Sequence, residues 1–404
     1  MDRKIPMSGS MQALVTKFKQ VSTDYYLMLI AMFLMKTGQF MLLPFLAIFL
    51  IKTAHISPSE IGLVIGSGAF VYGAFSLAAG VLTDRLGVKK VLITALLLGS
   101  ISLFFFFSIR NVAWYIAMNV LTGISRSLFN VGGKSYGVEG LSFEMRRFCF
   151  SLRSMATNSG ASVGPLFGAY FAIHSNLLVF PVIGMLYLAL GVLCLLILKN
   201  CVKDMDKKPV TVGEAMGVLR KDTLLQLLML ITFVYWLTYS QFDSTLPQYL
   251  ALSLHNGVHI YTAMFVVSAV GCAGLQVITT HLTRNCSEGA LSYSGMVLFA
   301  IAYVLIALFL QVPALIIASV FLVFAEIIVI PVNDLLTAKI APENRIGTYY
   351  GAISLATVGM GIGPMLGGYI YQHLGVKAVF LSCAVLCLMT IVLYKKLIDL
   401  IMAA

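Results

Sequence analysis

Long apolar runs separated by short polar breaks fill almost the whole chain. A helix needs about 20 largely apolar residues to cross about 30 Å of hydrocarbon. Twelve stretches meet that need: residues 25–51, 59–83, 90–109, 112–138, 147–173, 178–198, 223–250, 258–282, 290–310, 314–338, 346–371 and 376–396. Most connections are very short. The longest, 199–222, divides the chain. The pattern therefore predicts an N-terminal tail (1–24), a six-helix half (25–198), a linker (199–222) and a second six-helix half (223–404). Within the linker, 210–219 reads as a short amphipathic surface helix. The expected fold class is an all-α polytopic membrane protein of twelve transmembrane helices in two pseudo-symmetric halves.

The symmetry rests on a repeat. Residues 146–170 read RRFCFSLRSMATNSGASVGPLFGAY, and 199 residues later the chain reads RIGTYYGAISLATVGMGIGPMLGGY. Gly160, Gly164, Pro165, Gly168 and Tyr170 fall on Gly359, Gly363, Pro364, Gly367 and Tyr369. A repeat at half the chain length implies two similar halves. Small residues at this spacing let helices approach closely in lipid, and the proline removes one backbone bond.

Composition agrees. The chain is 60% hydrophobic and 11% charged, with mean hydropathy +0.95. Ordinary soluble domains carry roughly 25% charged residues. A net charge of +11 would suggest nucleic acid in a soluble protein. Here the basic residues read as topology signals, so no nucleic-acid partner is expected. The seven cysteines form no Cys-x-x-Cys pair or Cys/His cluster, so neither disulfides nor a metal site are expected. The first 23 residues are polar, with no apolar core and no small-residue cleavage site, which reads as a cytoplasmic tail. Ser, His and acidic residues form no hydrolase pattern, and there is no Walker-type loop. The chain is thus expected to be no enzyme, to need no cofactor, and to draw on an ion gradient or its substrate's own gradient.

The connection between spans 2 and 3 runs from Gly80 to Lys90, GVLTDRLGVKK. It resembles the loop 2–3 signature of the major facilitator superfamily, through Gly80, Asp84, Arg85, Gly87 and Lys89. Thr83 and Val88 depart from that pattern. Gly160-x-x-x-Gly164-Pro165-x-x-Gly168 resembles the helix 5 signature of its antiporter branch. The likeness covers all twelve spans and is nearest to twelve-span bacterial multidrug:proton antiporters. In span 4 Asn119 precedes Gly123 where arginine is expected. Early in span 5 Arg153 stands where relatives carry a carboxylate, which weighs against an ordinary cationic drug as substrate. The resemblance implies two halves rocking about a central cavity lined by helices 1, 4, 7 and 10, in a bacterial cytoplasmic membrane, acting as a monomer. It implies an effluxing antiporter with a small-molecule substrate, protons as coupling ion, and Glu326 as the acid used for protons.

Charges deep in a membrane are costly and read by default as functional. Lys36, Arg126 and Glu326 fall near the middles of spans 1, 4 and 10. Asp243 sits in span 7, one turn before Pro247, and Arg153 about 9 Å from one end of span 5. Lys134, Glu139 and Asp334 lie near span ends, where a side chain can snorkel to water. Glu326 and Asp243 are the proton-coupling candidates. Lys36, Gln39, Arg126, Arg153, Trp236, Tyr239 and Gln241 are the substrate-binding candidates. Gly359, Gly363 and Pro364 join the conformational motifs. Offset by 199, Glu326 falls beside Arg126, so these two charges are expected to face each other across the cavity. The alternatives are an importer or facilitator of an anionic metabolite or siderophore-like compound, and a non-transporting sensor. Of the 27 Lys and Arg residues, twenty fall on segments that share a side with the N-terminus, and Lys52, Arg110 and Lys377 fall opposite. Both termini are therefore expected in the cytoplasm. A reporter fused after Ala404 should be active only in its cytoplasmic form; a periplasm-specific signal there would overturn the count of spans.

Overall fold

The structure is a computed structural model that describes residues 18, 20–136, 143–174, 177–198, 222–283, 286–342 and 346–403. Most of the expected tail (1–24) and linker (199–222), together with Glu139, lie outside the described residues. Every apolar run expected to span is a helical rod. These are α1 (Thr23–Leu42, continued to residue 54), α2 (Pro58–Ala74 and Ser76–Leu86), α3 (Val88–Phe104), α4 (Val112–Ser135), α5 (Phe143–Ile173) and α6 (Val179–Ile197). The second half holds α7 (Thr223–Asp243 and Thr245–Ser253), α8 (Gly257–Leu282), α9 (Glu288–Leu308), α10 (Val312–Ile340), α11 (Ile346–Leu355, then a turn to Gly359–Leu374) and α12 (Val376–Ala403). Among the described residues, 7 helices are long and apolar enough to cross a membrane on length and composition alone. Some of the others fall short for visible reasons. The first segment of α2 and the whole of α3 are 17 residues each. The spans α4 and α5 carry charged and amide side chains.

Local chemistry sets the rod ends. Ser57 caps α2 in a reciprocal box with Glu60, and Pro58 follows, where its missing N–H does no harm. Asn111, Asp222 and Ser287 cap α4, α7 and α9. A single residue, Gly87, joins α2 to α3 at φ 86°, a conformation that favours glycine. Arg85 is exposed and Lys89 half-buried in this connection, while the side chain of Asp84 lies outside the described residues. α7 breaks at Ser244. Pro247 explains the break: its ring clashes with the carbonyl four residues back, that of Asp243. Asp243 therefore ends one helical segment instead of lying inside a continuous rod.

The two halves pack alike. α5 lies on α1 and α11 on α7; α3 touches α4 and α6, as α9 touches α10 and α12; α2 meets α4 as α8 meets α10. The repeated glycines make the first of these contacts. A Cβ on Gly164 would stand 2.5 Å from the Thr37 carbonyl oxygen, and Gly160 and Gly168 meet the carbonyls of Phe33 and Met41. In the other half a Cβ on Gly363 would stand 2.5 Å from the Leu237 carbonyl oxygen, while Gly359 meets the Phe233 carbonyl and Gly367 the Gln241 side chain. The stripe thus welds helices within a half. The contact between halves uses other residues. α2 lies against α11 from Pro58 and Gly368 through Gly62 and Pro364 to Gly73 and Val358. These positions fall on the half of each rod farther from the chain termini. Beside them Phe45 of α1 meets Tyr261 and Phe265 of α8 at 5.8 and 6.4 Å between ring centroids. The cleft between the halves is sealed at this far end.

Gly164→Leu should destabilise the protein by ~1–3 kcal/mol, because two of the atoms it meets, the Thr37 carbonyl oxygen and the Met41 nitrogen, are backbone and the third is the Phe40 Cβ. Gly80→Ala is the control, since a Cβ there has nothing within 4 Å. Thermal unfolding of the detergent-purified variants should show a lowered midpoint for the first and no lowering for the second, since Ala is the better helix former. Equal midpoints would mean the stripe does not hold the half together.

Candidate functional site

Helices with small or apolar faces leave few charged side chains inside, and the deepest of these collect on the two walls of the cleft. On the N-terminal wall, α1 contributes Lys36 and Gln39, α4 contributes Arg126 and Asn130, and α5 contributes Arg153. Lys36 Nζ donates to Gln39 Oε1 at 3.2 Å and lies 5.9 Å from the Phe40 ring centroid. The Arg126 guanidinium sits 4.9 Å above the ring of Tyr72 on α2. Asn130 ties the group together: its Nδ2 donates to Tyr72 Oη at 3.0 Å, and its Oδ1 accepts from Arg153 at 3.4 Å. Two small cavities, about 40 and 20 Å³, meet at Gln39 and Arg126.

The C-terminal wall carries the opposite charge. Tyr239 of α7 donates its hydroxyl to Glu326 Oε2 on α10 at 3.1 Å. Tyr235 stacks on Tyr239 at 5.7 Å, and Trp236 meets Tyr239 edge-on at 5.8 Å. The Cys272 thiol of α8 lies beside the Glu326 carboxylate. Asp243 keeps one buried carboxylate oxygen with no hydrogen-bond partner. Glu326, Asp243, Tyr239 and Trp236 are all partly exposed although they lie deep in the helical core, as wall residues of a cleft are.

The structure brings Lys36, Gln39, Arg126 and Arg153 together, and Glu326, Asp243, Trp236 and Tyr239 together. It does not join the two sets. Arg126 stacks on Tyr72 while Glu326 accepts from Tyr239, and no ion pair links them. The expectation that these charges form a facing pair is replaced by segregation, cations on one wall and carboxylates on the other. Gln241 also departs from its expected place. It is 2% exposed. Its Nε2 donates to the Gly363 carbonyl at 2.7 Å, and its Oε1 accepts from Thr245 at 2.6 Å. Its amide ties α7 to α11 and does not line the cleft. Asn119, standing where an arginine was expected, donates to the Val64 carbonyl at 2.5 Å and packs against Gly68, so it joins α4 to α2. Asp334 is exposed, as a snorkelling residue should be, and the side chain of Lys134 lies outside the described residues. Sequence reasoning missed Tyr72, Asn130 and Cys272. Tyr72 and Cys272 stand on α2 and α8, outside the four helices expected to line the cavity, and no charge marks any of the three.

Two pseudo-symmetric helical halves around a polar cleft are the architecture of a membrane transporter. The Major Facilitator Superfamily description matches residues 28–357 and 228–399, and the chain belongs to that family. It is 27% identical to the "Uncharacterized MFS-type transporter YqjV" of Bacillus subtilis (strain 168), over 87% of each chain. It is 22% identical to the "Multidrug resistance protein MdtH" of Citrobacter koseri, over 86% of each. The fold is similar to a crystal structure of the nucleoside transporter NupG, with TM-score 0.77 and 12% identity over 93% of this chain and 99% of that one.

Gln241→Ala should remove the tie to the Gly363 carbonyl, leave the Thr245 hydroxyl without its partner and cost about 1–3 kcal/mol. The expected result is a thermal midpoint several degrees lower with unchanged affinity for any transported compound. A loss of affinity at an unchanged midpoint would return Gln241 to the cleft.

Proposed function

We propose that this transporter is a proton-coupled exporter of small organic molecules working by alternating access. The observation that carries the reading is the pair of carboxylates, Glu326 and Asp243, set deep in the C-terminal wall and joined to no cation among the described residues. Ionisable carboxylates inside membrane helices are the groups with which transporters relay protons. Glu326 holds the proton, and Tyr239 orients it through its hydroxyl. Pro331 lies within α10 and offers no N–H to the Ile327 carbonyl, one residue from Glu326, which loosens the helix beside the site. Asp243, freed at the break in α7, is the second proton site. Tyr239 and Trp236, set edge-on to each other with Tyr235 stacked behind Tyr239, supply apolar ring surfaces for an organic body. Likeness to a multidrug resistance protein supports organic cargo and outward transport.

The two halves rock about this midplane site. Each half moves as a unit because its glycine stripe leaves no slack. With both termini in the cytoplasm, the far-end seal of Phe45, Tyr261 and Phe265 makes this the inward-facing state. Binding can shift such an equilibrium only by its different affinity for the two states. Protonation of Glu326 supplies that difference on one wall and substrate on the other. A second reading, import or facilitated passage of an anionic metabolite, draws on Lys36, Arg126 and Arg153 in the N-terminal half. The direction of flux against an imposed pH gradient separates the two.

Glu326→Gln mimics the protonated acid with little change of shape. In proteoliposomes it should abolish transport driven by a pH gradient while leaving exchange of the same compound across the membrane largely intact. Normal pH-driven transport by this variant would move the proton site to Asp243.

A further inference from the structure

A guanidinium carries five N–H donors and no acceptor. Inside a protein those donors are ordinarily matched by carboxylates or carbonyls. Arg126, at the middle of α4, donates no hydrogen bond to any described residue. Its Nε is buried without a partner, and only its flat face is occupied, by Tyr72. The Nε of Arg153, next to it across Asn130, is likewise buried and unmatched. A cation held this way is strongly unfavourable unless something else answers its charge. No described carboxylate of the N-terminal half does. The two cavities that meet at Arg126 are lined by leucines and methionines, by amide, hydroxyl and aromatic groups and by Lys36, with no Asp or Glu. Nearby Tyr187 donates its hydroxyl to the Met35 carbonyl. The acid nearest the start of α1, Asp24, accepts from Tyr136, and Glu60 caps α2.

A guanidinium so placed is suited to pairing with an anion. Its shape follows from the walls. A planar guanidinium fork matches a carboxylate with two parallel hydrogen bonds. The cavities, at about 40 and 20 Å³, take a few water-sized atoms, since one water needs at least about 10–15 Å³. The head group is small. Across the cleft the opposite wall offers the rings of Tyr239 and Trp236, which suit a flat apolar body.

We propose that Arg126 is the anion subsite of the substrate cleft, and that the transported molecules are aromatic monocarboxylates whose carboxylate meets the Arg126 guanidinium. This assignment rests on the transport reading for its meaning, but its test does not depend on proton coupling. The full-length protein in detergent is titrated calorimetrically at neutral pH, with no gradient present, with 2-naphthoate and with its neutral amide, 2-naphthamide. The acid should bind saturably and at least tenfold more tightly than the amide. Arg126→Gln should weaken the acid at least tenfold and leave the amide unchanged. Arg126→Lys, which keeps the charge but not the planar fork, should fall between. Comparing the two probes on the unaltered protein needs no variant, so a poorly folding Arg126→Gln does not spoil the test. Equal binding of acid and amide, or no saturable binding of the acid, overturns the proposal. Glu326→Gln should keep the preference for the acid. If that preference holds while Glu326→Gln still transports normally on a pH gradient, Glu326 loses the proton and Arg126 keeps the anion.

Discussion

Backbone lying directly on backbone is the contact from which the rest of this structure follows. Glycines at every fourth position of α5 and of α11 let each rod settle onto the carbonyls of its neighbour, α1 or α7. In lipid there is little hydrophobic gain from pairing two apolar helices, so close packing of this kind carries the association. The two contacts also set the site. α5 brings Arg153 towards the α1 face that carries Lys36 and Gln39. α11 presents the Gly363 carbonyl that holds Gln241, and Gln241 fixes the stretch of α7 between Tyr239 and Asp243.

Segregated charge is the second constraint. Had Arg126 and Glu326 faced each other as an ion pair, the cleft would be locked by a bond whose breaking leaves two bare charges. Instead each wall is served by its own aromatic hydroxyls and amides: Tyr72 and Asn130 on one side, Tyr239 on the other. Among the described residues no salt bridge joins Arg126 or Arg153 to Glu326 or Asp243 across the cleft. The described residues do contain an ion pair, Lys339 with Glu288 at 3.0 Å, but it joins α10 to α9 within one half and lies near the surface.

Much of the fold was legible because bilayer thickness imposes one length on every span, and apolar run length is the plainest signal a sequence carries. The rods begin and end within a few residues of the expected limits, apart from α12, which continues beyond 396 to Ala403. The break in α7 was signalled by Pro247, but its position at Ser244 follows from which carbonyl the ring strikes. The site was legible where a charge stood out against hydrocarbon, as at Arg126 and Glu326. It was not legible where function depends on which way a neutral group turns. Gln241 and Trp236 stand on the same helix and look equally suited to a cavity; only the glycine opposite Gln241 draws its amide into the α7–α11 seam. Tyr72 carries no charge and sits among glycines and alanines, so nothing in the pattern set it apart from a packing residue.

The two halves, so alike within themselves, meet on unequal terms. Gly62 and Gly66 of α2 let it press onto α11, and the positions 199 residues further on, Tyr261 and Phe265 of α8, carry rings. Both rings meet Phe242 and Phe45, Phe265 stacking on Phe242, while α8 also lies along α5. One side of the molecule is thus bound like the spine of a book, glycine against glycine, and the other is edged with aromatic leaves. The halves share an internal scaffold, but their outer edges have been assigned different offices.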